Sequence, residues 1–284
     1  MKRLFYLLAA AAFTACGSAT TLSVMTFNMR YDNPEDGADN WRFRRGRVAE
    51  VIASHGVDVF GTQELLANQL GDLKRLLPGY AAVGVGREDG AEAGEFSAVF
   101  YRRDRFTPLE SGTFWLSETP DVAGSKGWDG ACERVATWVV LHDRDGGREF
   151  LFVNTHLDHV GQVARDEGVN LLRERIEALR GDRPVILTGD FNSEPGSSVV
   201  AHVQKDGVLH DVNHRSQARR LRIRGIRRKR LLVIQQKGDL CVLFQRAEHA
   251  AEQEVAGGVQ AVAQEVGSRG PAPRRVGPPR LFQR

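Results

Sequence analysis

The sequence predicts an α+β domain of layered sheets and helices across residues 21–214, and three observations carry that reading. Segments of β type and segments of helical periodicity alternate over this span with neither an internal repeat nor a linker. Hairpin-like pairs of β segments are interspersed with helices, and that order favours α+β layers. The chain has 284 residues, 42% of them hydrophobic and 26% charged, enough for one large globular core or two small ones.

The elements follow in chain order. Thr21 to Asn28 reads as a strand, and Arg44 to His55 as a helix whose Val48, Val51, Ile52 and His55 fall at three-and-four spacing. A second strand, Val57 to Phe60, follows at once. Leu65 to Leu77 is helical and stops before Pro78-Gly79, after which Tyr80 to Val85 and Phe96 to Arg102 read as strands around a Gly-rich acidic loop. Thr137 to Leu141 and Glu149 to Thr155 form a hairpin across Asp145-Gly146-Gly147. Val163 to Arg180 is the clearest helix, with Val169, Leu172, Ile176 and Leu179 on one face, and Pro184 to Gly189 is a buried strand by its Val-Ile-Leu run.

Charge divides the chain. Residues 1–214 hold 23 basic and 31 acidic side chains, whereas residues 215–284 hold 16 basic and 5 acidic, so the two parts belong to different composition classes. The second part opens with eight basic residues between Arg219 and Arg230 and ends in Pro/Gly/Arg-rich sequence without periodicity. Leu231 to Ile234 reads as a short strand, Ala247 to Val266 as a weak helix, and Pro271 to Arg284 as disordered. Three scattered cysteines, Cys16, Cys132 and Cys241, exclude a disulfide framework and a Cys-based zinc site. Leu4 to Ala15 is apolar, follows Lys2 and Arg3, and is short for a membrane span, so residues 1–16 read as an export signal. The small-residue site before Cys16 points to lipid attachment there and a membrane-anchored or periplasmic protein; the bland reading is cleavage nearby without lipid.

Four apolar runs each end in a group able to bind a hard metal or a phosphate. Val24 to Phe27 leads to Asn28, and Val57 to Gln63 leads to Glu64. Leu151 to Thr155 leads to His156, and Val185 to Gly189 leads to Asp190, with Asn192 two residues on. Strand ends are where a rigid sheet can hold converging side chains. Carboxylates and amides suit Mg2+, with Mn2+ as the alternative, whereas zinc would want more His or Cys. Taken singly, each is ordinary: an Asn ending a strand is usually a turn residue, Gln-Glu often starts a solvated helix, and a lone His is commonly structural. Their order carries the argument, and Gly189-Asp190-Phe191-Asn192 is its most specific piece.

In that order, Asn28, Thr62-Gln63-Glu64, Asn154-Thr155-His156-Leu157 and Gly189-Asp190-Phe191-Asn192 resemble the endonuclease/exonuclease/phosphatase superfamily, which includes pancreatic deoxyribonuclease, bacterial sphingomyelinases and nocturnin-type deadenylases. Phe114 to Glu118 and Gly127 to Trp138 are similar to an exported bacterial branch. The resemblance covers residues 21–214 and implies a four-layer α/β/β/α sandwich of two packed mixed sheets, with Mg2+-dependent hydrolysis of phosphoesters in nucleic acid or phospholipid head groups. By match, Glu64 is the main metal ligand, helped by Asn28; Asp190 orients or deprotonates water; Asn192 holds the phosphate or the metal-bound water. His156 stabilises the phosphorane-like charge or protonates the leaving oxygen. Arg134 is a candidate phosphate clamp, weighed against a surface salt bridge, and Asp158 and His159 are candidate supports for His156.

The family also closes with a strand leading into Ser-Asp-His, and no such motif stands in this chain: after Asp211 the one Asp is Asp239, and after His214 the one His is His249. Residues 215–284 therefore read as an out-of-frame or disordered tail, leaving the fold incomplete and turnover by this chain impaired. The contrasting reading takes the tail as genuine, a basic segment contacting nucleic acid or anionic membrane on a catalytically inactive scaffold.

Overall fold

Side-chain alternation along the strands decides which faces must be covered. In a computed structural model, which describes residues 21–194, 196–205, 209–211, 231–236, 241–246 and 260–262, strand β1 (Thr21–Asn28) sends Val24 to one face and Met25 to the other. Both are buried, so the sheet containing β1 is covered on two sides. The same holds for β7 (Arg148–His156), where Phe152 faces one way and Leu151 and Val153 the other.

These alternations resolve into three apolar cores between four layers. The first lies between helices α1 (Trp41–Ser54) and α2 (Ala67–Leu76) and the outer face of sheet one, and contains Trp41, Ile52, Leu73, Met25, Phe60 and Phe100. The second separates the sheets, with Val24 and Val59 from sheet one against Val139, Phe152 and Ile186 from sheet two. The third joins the outer face of sheet two to α3 (Gln162–Arg180) and α4 (Ser198–Gln204) through Val169, Leu172, Ile176, Val199 and Val203. This is the α/β/β/α sandwich that the motif resemblance implies.

Sheet one also contains β2 (Val59–Gln63), β3 (Tyr80–Val83) and β4 (Val99–Arg102). Sheet two contains β5 (Phe106–Trp115), β6 (Val135–Asp143), β7 and β8 (Val185–Asp190). β9 (Leu209–Asp211) and β10 (Leu231–Gln236) extend sheet two in the order β5-β6-β7-β8-β10-β9, while β11 (Cys241–Arg246) and β12 (Gln260–Val262) extend sheet one in the order β12-β11-β1-β2-β4-β3. Two parallel pairs matter most: Asn28 of β1 registers with Gln63 of β2, and His156 of β7 registers with Asp190 of β8.

Sequence and structure diverge where local signals are weak. β5 is an edge strand with a bulge between Pro108 and Glu110 and a largely exposed middle, so its composition hid its ladder. α4 has seven residues, too few for periodicity to register. α1 begins at Trp41 because the Asn40 side chain accepts from the Arg42 N–H. α2 begins at Ala67 because Leu65 is bridged to Phe96. The β6–β7 hairpin forms as expected, with Gly147 at positive φ. In the tail, Leu231–Gln236 is a strand as expected and Gln260–Val262 is a strand within the stretch expected to be helical; the basic run 219–230, the rest of 247–266, the Pro/Gly-rich end and residues 1–16 lie outside the described residues.

Two buried polar systems tie the sheets together. At one end, Asn154 of β7 donates from Nδ2 to the carbonyls of Thr62 and Ala98 at 2.8 and 3.2 Å, and its Oδ1 accepts from Gln63 Nε2 at 2.7 Å and Thr188 Oγ at 2.9 Å. Gly61 makes this approach possible, because a Cβ there would lie 2.2 Å from Asn154 Oδ1. At the other end, buried Arg105 donates to Asp58 at 2.8 Å and, through two nitrogens, to Asp143 at 3.0 and 2.8 Å. Gly61→Ala should therefore cost about 1–3 kcal/mol of unfolding free energy by overpacking this seam, read as a lower urea midpoint; an unchanged midpoint would mean that the sheets separate freely there.

Candidate active site

Parallel pairing places the ends of β1 and β2 side by side, and likewise those of β7 and β8. Asn28 spans the gap between the two sheets: its Nδ2 donates to Glu64 Oε1 at 2.9 Å and to Asp190 Oδ2 at 3.2 Å. Glu64 stands just past β2 in a left-handed conformation, φ 57°, a strained state that turns the chain out of the sheet. The Tyr31 N–H donates to Glu64 Oε2 at 3.3 Å, and the Arg30 N–H to Asn28 Oδ1 at 2.9 Å. Fully buried Gln69 steadies both sides of this arrangement. Its Oε1 accepts from Asp32 and Leu66 N–H at 3.1 and 3.0 Å, and its Nε2 donates to the Arg30 carbonyl at 3.0 Å.

On sheet two, Gly189 lets β7 and β8 approach, since a Cβ would meet the Thr155 carbonyl at 2.7 Å. Asn192, also at positive φ, folds its own N–H back onto Asp190 Oδ1 at 3.0 Å. Its Nδ2 lies 2.9 Å from the Leu157 carbonyl and 3.1 Å from His156 Nε2. The carbonyl fixes the amide as donor, so Nε2 is the acceptor and the ring proton belongs on Nδ1. Nδ1 faces Glu95 Oε2 at 4.0 Å, and Glu95 is paired with Arg87 at 2.8 Å. The chain of contacts thus runs Asn192, His156, Glu95, Arg87.

Burial sets the protonation states. It drives the His156 pKa well below 6.5, with the positive charges of Arg134 and Arg87 acting in the same direction. It pushes the Asp190 carboxyl up, against the hydrogen bonds from Asn192 and Asn28 and with help from the Glu64 charge. Glu95 is raised by burial and by Glu64, against Arg87 and Arg134. The site therefore contains a neutral imidazole and two carboxyls that hold protons more readily than exposed ones do.

Arg134 is buried rather than part of a surface salt bridge. Its Nε lies 3.4 Å from Asp158 Oδ2 and its Nη2 2.9 Å from His159 Nδ1. Asp158 and His159 thus hold Arg134, where the sequence reading had them supporting His156. Burial works to raise the Asp158 pKa, yet the N–H groups of Gly161, Val160 and Ala131, together with Arg134, hold it far below the usual carboxylate range. Cys132, Asp158 and His159 have ligand atoms within 4.8 Å of one another, but Asp158 is already engaged by backbone N–H groups and a guanidinium, and Asp158 and His159 together hold Arg134. Glu95, Arg87 and Gln69 escaped the sequence reading. Glu95 and Arg87 sit in the Gly-rich loop after β3, where charged residues carry no periodic signal, and Gln69 looks like any polar helix residue.

Comparisons with known proteins agree with this architecture. Residues 25–273 match the model of the Endonuclease/Exonuclease/phosphatase family, a span that runs beyond residue 214. A solved endonuclease/exonuclease/phosphatase from Bacteroides vulgatus is 44% identical, with a TM-score of 0.65 over 66% of this chain and 72% of that one. A mannosyl-6-phosphatase from Bacteroides thetaiotaomicron is also 44% identical, with a TM-score of 0.64 over 67% of this chain and 75% of that one. Among curated relatives, Nocturnin of Drosophila melanogaster is 26% identical over 187 residues, 60% of this chain and 27% of its own length. The chain spans 27% to 41% of the curated relatives it matches. With its four strand-end motifs assembled at one end of two packed sheets, the chain belongs to the endonuclease/exonuclease/phosphatase family.

Proposed function

We propose that the chain is a divalent-metal-dependent phosphoester hydrolase acting on small phosphorylated substrates, phosphorylated sugars among them. One observation carries this reading: Glu64 and Asp190, from different sheets, both accept from the amide nitrogen of Asn28. The Glu64 charge works to raise the Asp190 carboxyl, and a cation bound beside both would relieve that repulsion. An all-oxygen set suits Mg2+ or Mn2+, with Glu64 and Asn28 as the residues that would hold it. Such an ion, when bound, supplies positive charge to the phosphoryl and leaving oxygens.

The chain's own groups supply the rest. Asp190, raised by burial, is suited to orient an attacking water and take its proton. Asn192 Nδ2, released from His156 Nε2 when the ring takes a proton there, is placed to donate to a phosphoryl oxygen. His156 is neutral in the free protein, and an incoming phosphate charge favours its protonated, donating form, with Glu95 beside Nδ1 to balance that charge. Arg134 adds a fixed positive group. The missing Ser-Asp-His sequence after residue 211 argues for slow turnover. Identity of 44% to a mannosyl-6-phosphatase supports a phosphorylated sugar; nucleic acid and phospholipid head groups are the competing substrates. We further propose export with lipid attachment at Cys16, on the apolar run Leu4 to Ala15.

Phosphate release from mannose 6-phosphate should require Mg2+ or Mn2+, stop with EDTA, and fall about 100- to 10,000-fold in Asp190→Asn. Glu64→Gln should weaken Mn2+ binding measured by calorimetry; unaltered binding would remove Glu64 from the metal site. The sign for His156 follows from its lowered folded pKa. Above about 6.5 the ring is neutral in both states, and as pH falls below that the unfolded chain takes up the proton first. Stability is therefore lost as pH falls from about 6.5 through the folded value, and His156→Asn should flatten that stretch of the stability profile. Cys16→Ser should move the protein out of the membrane fraction, and unchanged fractionation would remove the lipid.

A further inference from the structure

Buried donors without partners are rare in folded proteins. Among the described residues six buried side-chain nitrogen or oxygen atoms lack one, and three of these are Arg87 Nε, Arg134 Nη1 and His156 Nδ1. All three belong to one neighbourhood. Arg87 reaches Glu95 Oε2 at 2.8 Å, and the same oxygen is 4.0 Å from His156 Nδ1. Arg134 directly precedes β6, whose Ala136 pairs with Thr155, the residue before His156. Three unpartnered nitrogen donors therefore lie in the surroundings of one imidazole, and both guanidinium charges act on it.

We propose that Arg87 and Arg134 form an anion seat beside the carboxylate pair that takes the terminal oxygens of a phosphomonoester dianion and selects it over a phosphodiester. This deepens the phosphoester reading above and rests on it for the place of the substrate. A monoester offers three terminal oxygens and, above its second pKa of about 6, a charge near −2. A diester offers two such oxygens and a single charge. Planar guanidinium forks match the monoester, because each can give several N–H groups to neighbouring oxygens.

The two arginines are held for this. Asp158 and His159 fix one edge of Arg134 and leave Nη1 unengaged. Arg87 uses Nη1 on Glu95, and its carbonyl accepts from Trp115 Nε1 at 2.6 Å, which pins the loop of Arg87 to the end of β5. Gly124 lets the loop after β5 close on that loop, since a Cβ there would meet the Glu88 carbonyl at 2.4 Å. Glu95 opposes an anion, and the Arg87 guanidinium paired with it at 2.8 Å offsets that charge. Arg87 is more than the counter-ion of Glu95, because its Nε remains buried and unpaired after that bond is made.

The test is calorimetric titration of the full chain, with Mg2+ present at pH 8, by inorganic phosphate and by dimethyl phosphate. The wild-type chain should prefer inorganic phosphate at least about tenfold, and Arg87→Met should weaken phosphate by about 10- to 100-fold while shrinking that preference. Arg87→Lys, which keeps a charge opposite Glu95 without the fork, should fall between. Arg87→Met combined with Glu95→Gln should not recover binding if Arg87 meets the anion itself. No preference in the wild type, an equal loss for both ligands in either Arg87 variant, or recovery in the double variant would overturn the seat. Hydrolysis is read separately. Arg87-dependent phosphate binding without Glu64-dependent hydrolysis would sink the enzymatic reading and leave the seat standing, whereas Glu64-dependent hydrolysis with a preference insensitive to Arg87 would do the reverse.

Discussion

The site depends on the crossing of one side chain from sheet to sheet. Asn154 is fully buried, yet its amide makes four hydrogen bonds that reach β2, β8 and the residue before β4. Sheets held together by apolar contacts alone can slide, because the hydrophobic effect is non-directional. An amide whose donors and acceptor are all engaged cannot slide without leaving buried polar groups unpaired, at about 1–3 kcal/mol each. The seam lies one or two residues beneath Glu64, His156 and Asp190, so it fixes the spacing of the groups drawn from different sheets. Arg105, with Asp58 and Asp143, does the same at the far end, where no site residue stands.

The electrostatics of the site follow from that fixed spacing. Glu64 and Asp190 are brought together by geometry rather than by attraction, and Asn28 supplies a shared donor without a compensating charge. Like charges on the two carboxylates therefore repel across the Asn28 amide. Sheet rigidity bears that cost in the free protein, and a bound cation would reverse its sign. On the other side, burial, aided by the charges of Arg134 and Arg87, holds the His156 pKa well below 6.5. Negative and positive halves therefore face each other, an arrangement suited to a ligand that carries negative oxygens and a cation together.

The sequence made the strand-end half of this site legible. Asn28, Glu64, His156 and Asp190 each close an apolar run, and a period of two places such residues without knowledge of the partner strand. Asn192 was legible because it lies two residues from Asp190. Layering followed from hairpins interspersed with helices, whereas the four-layer order came with the family resemblance. β5 was hidden, since an exposed edge strand carrying Pro108 and Gly112 has a loop's composition. Arg134 was legible as a residue, but its partners were not: Asp158 and His159 are close to His156 in sequence and bond Arg134 in space. Glu95, Arg87 and Gln69 act through contacts with residues far along the chain, which no local pattern encodes.

That difference in legibility reflects a division of labour. Groups that would hold a metal and activate water sit on strand ends, where the ladder and the Asn154 seam fix them. The groups proposed to face a phosphate sit on two loops, residues 84–95 and 116–134, which are locked to each other and to α3 as well as to the strands that flank them. Trp115 bonds the Arg87 carbonyl, Ser117 bonds Ser125 at 2.6 Å, and Asp129 accepts from Ala164 N–H at 2.7 Å at the start of α3. Trp128 is held in a left-handed conformation, φ 51°, with its N–H on the Glu118 carboxylate at 3.2 Å. Loops fixed in this way can change length and sequence without disturbing the strand ends. One metal-binding arrangement can then serve many phosphoesters, and the residues that choose among them are to be sought in these loops.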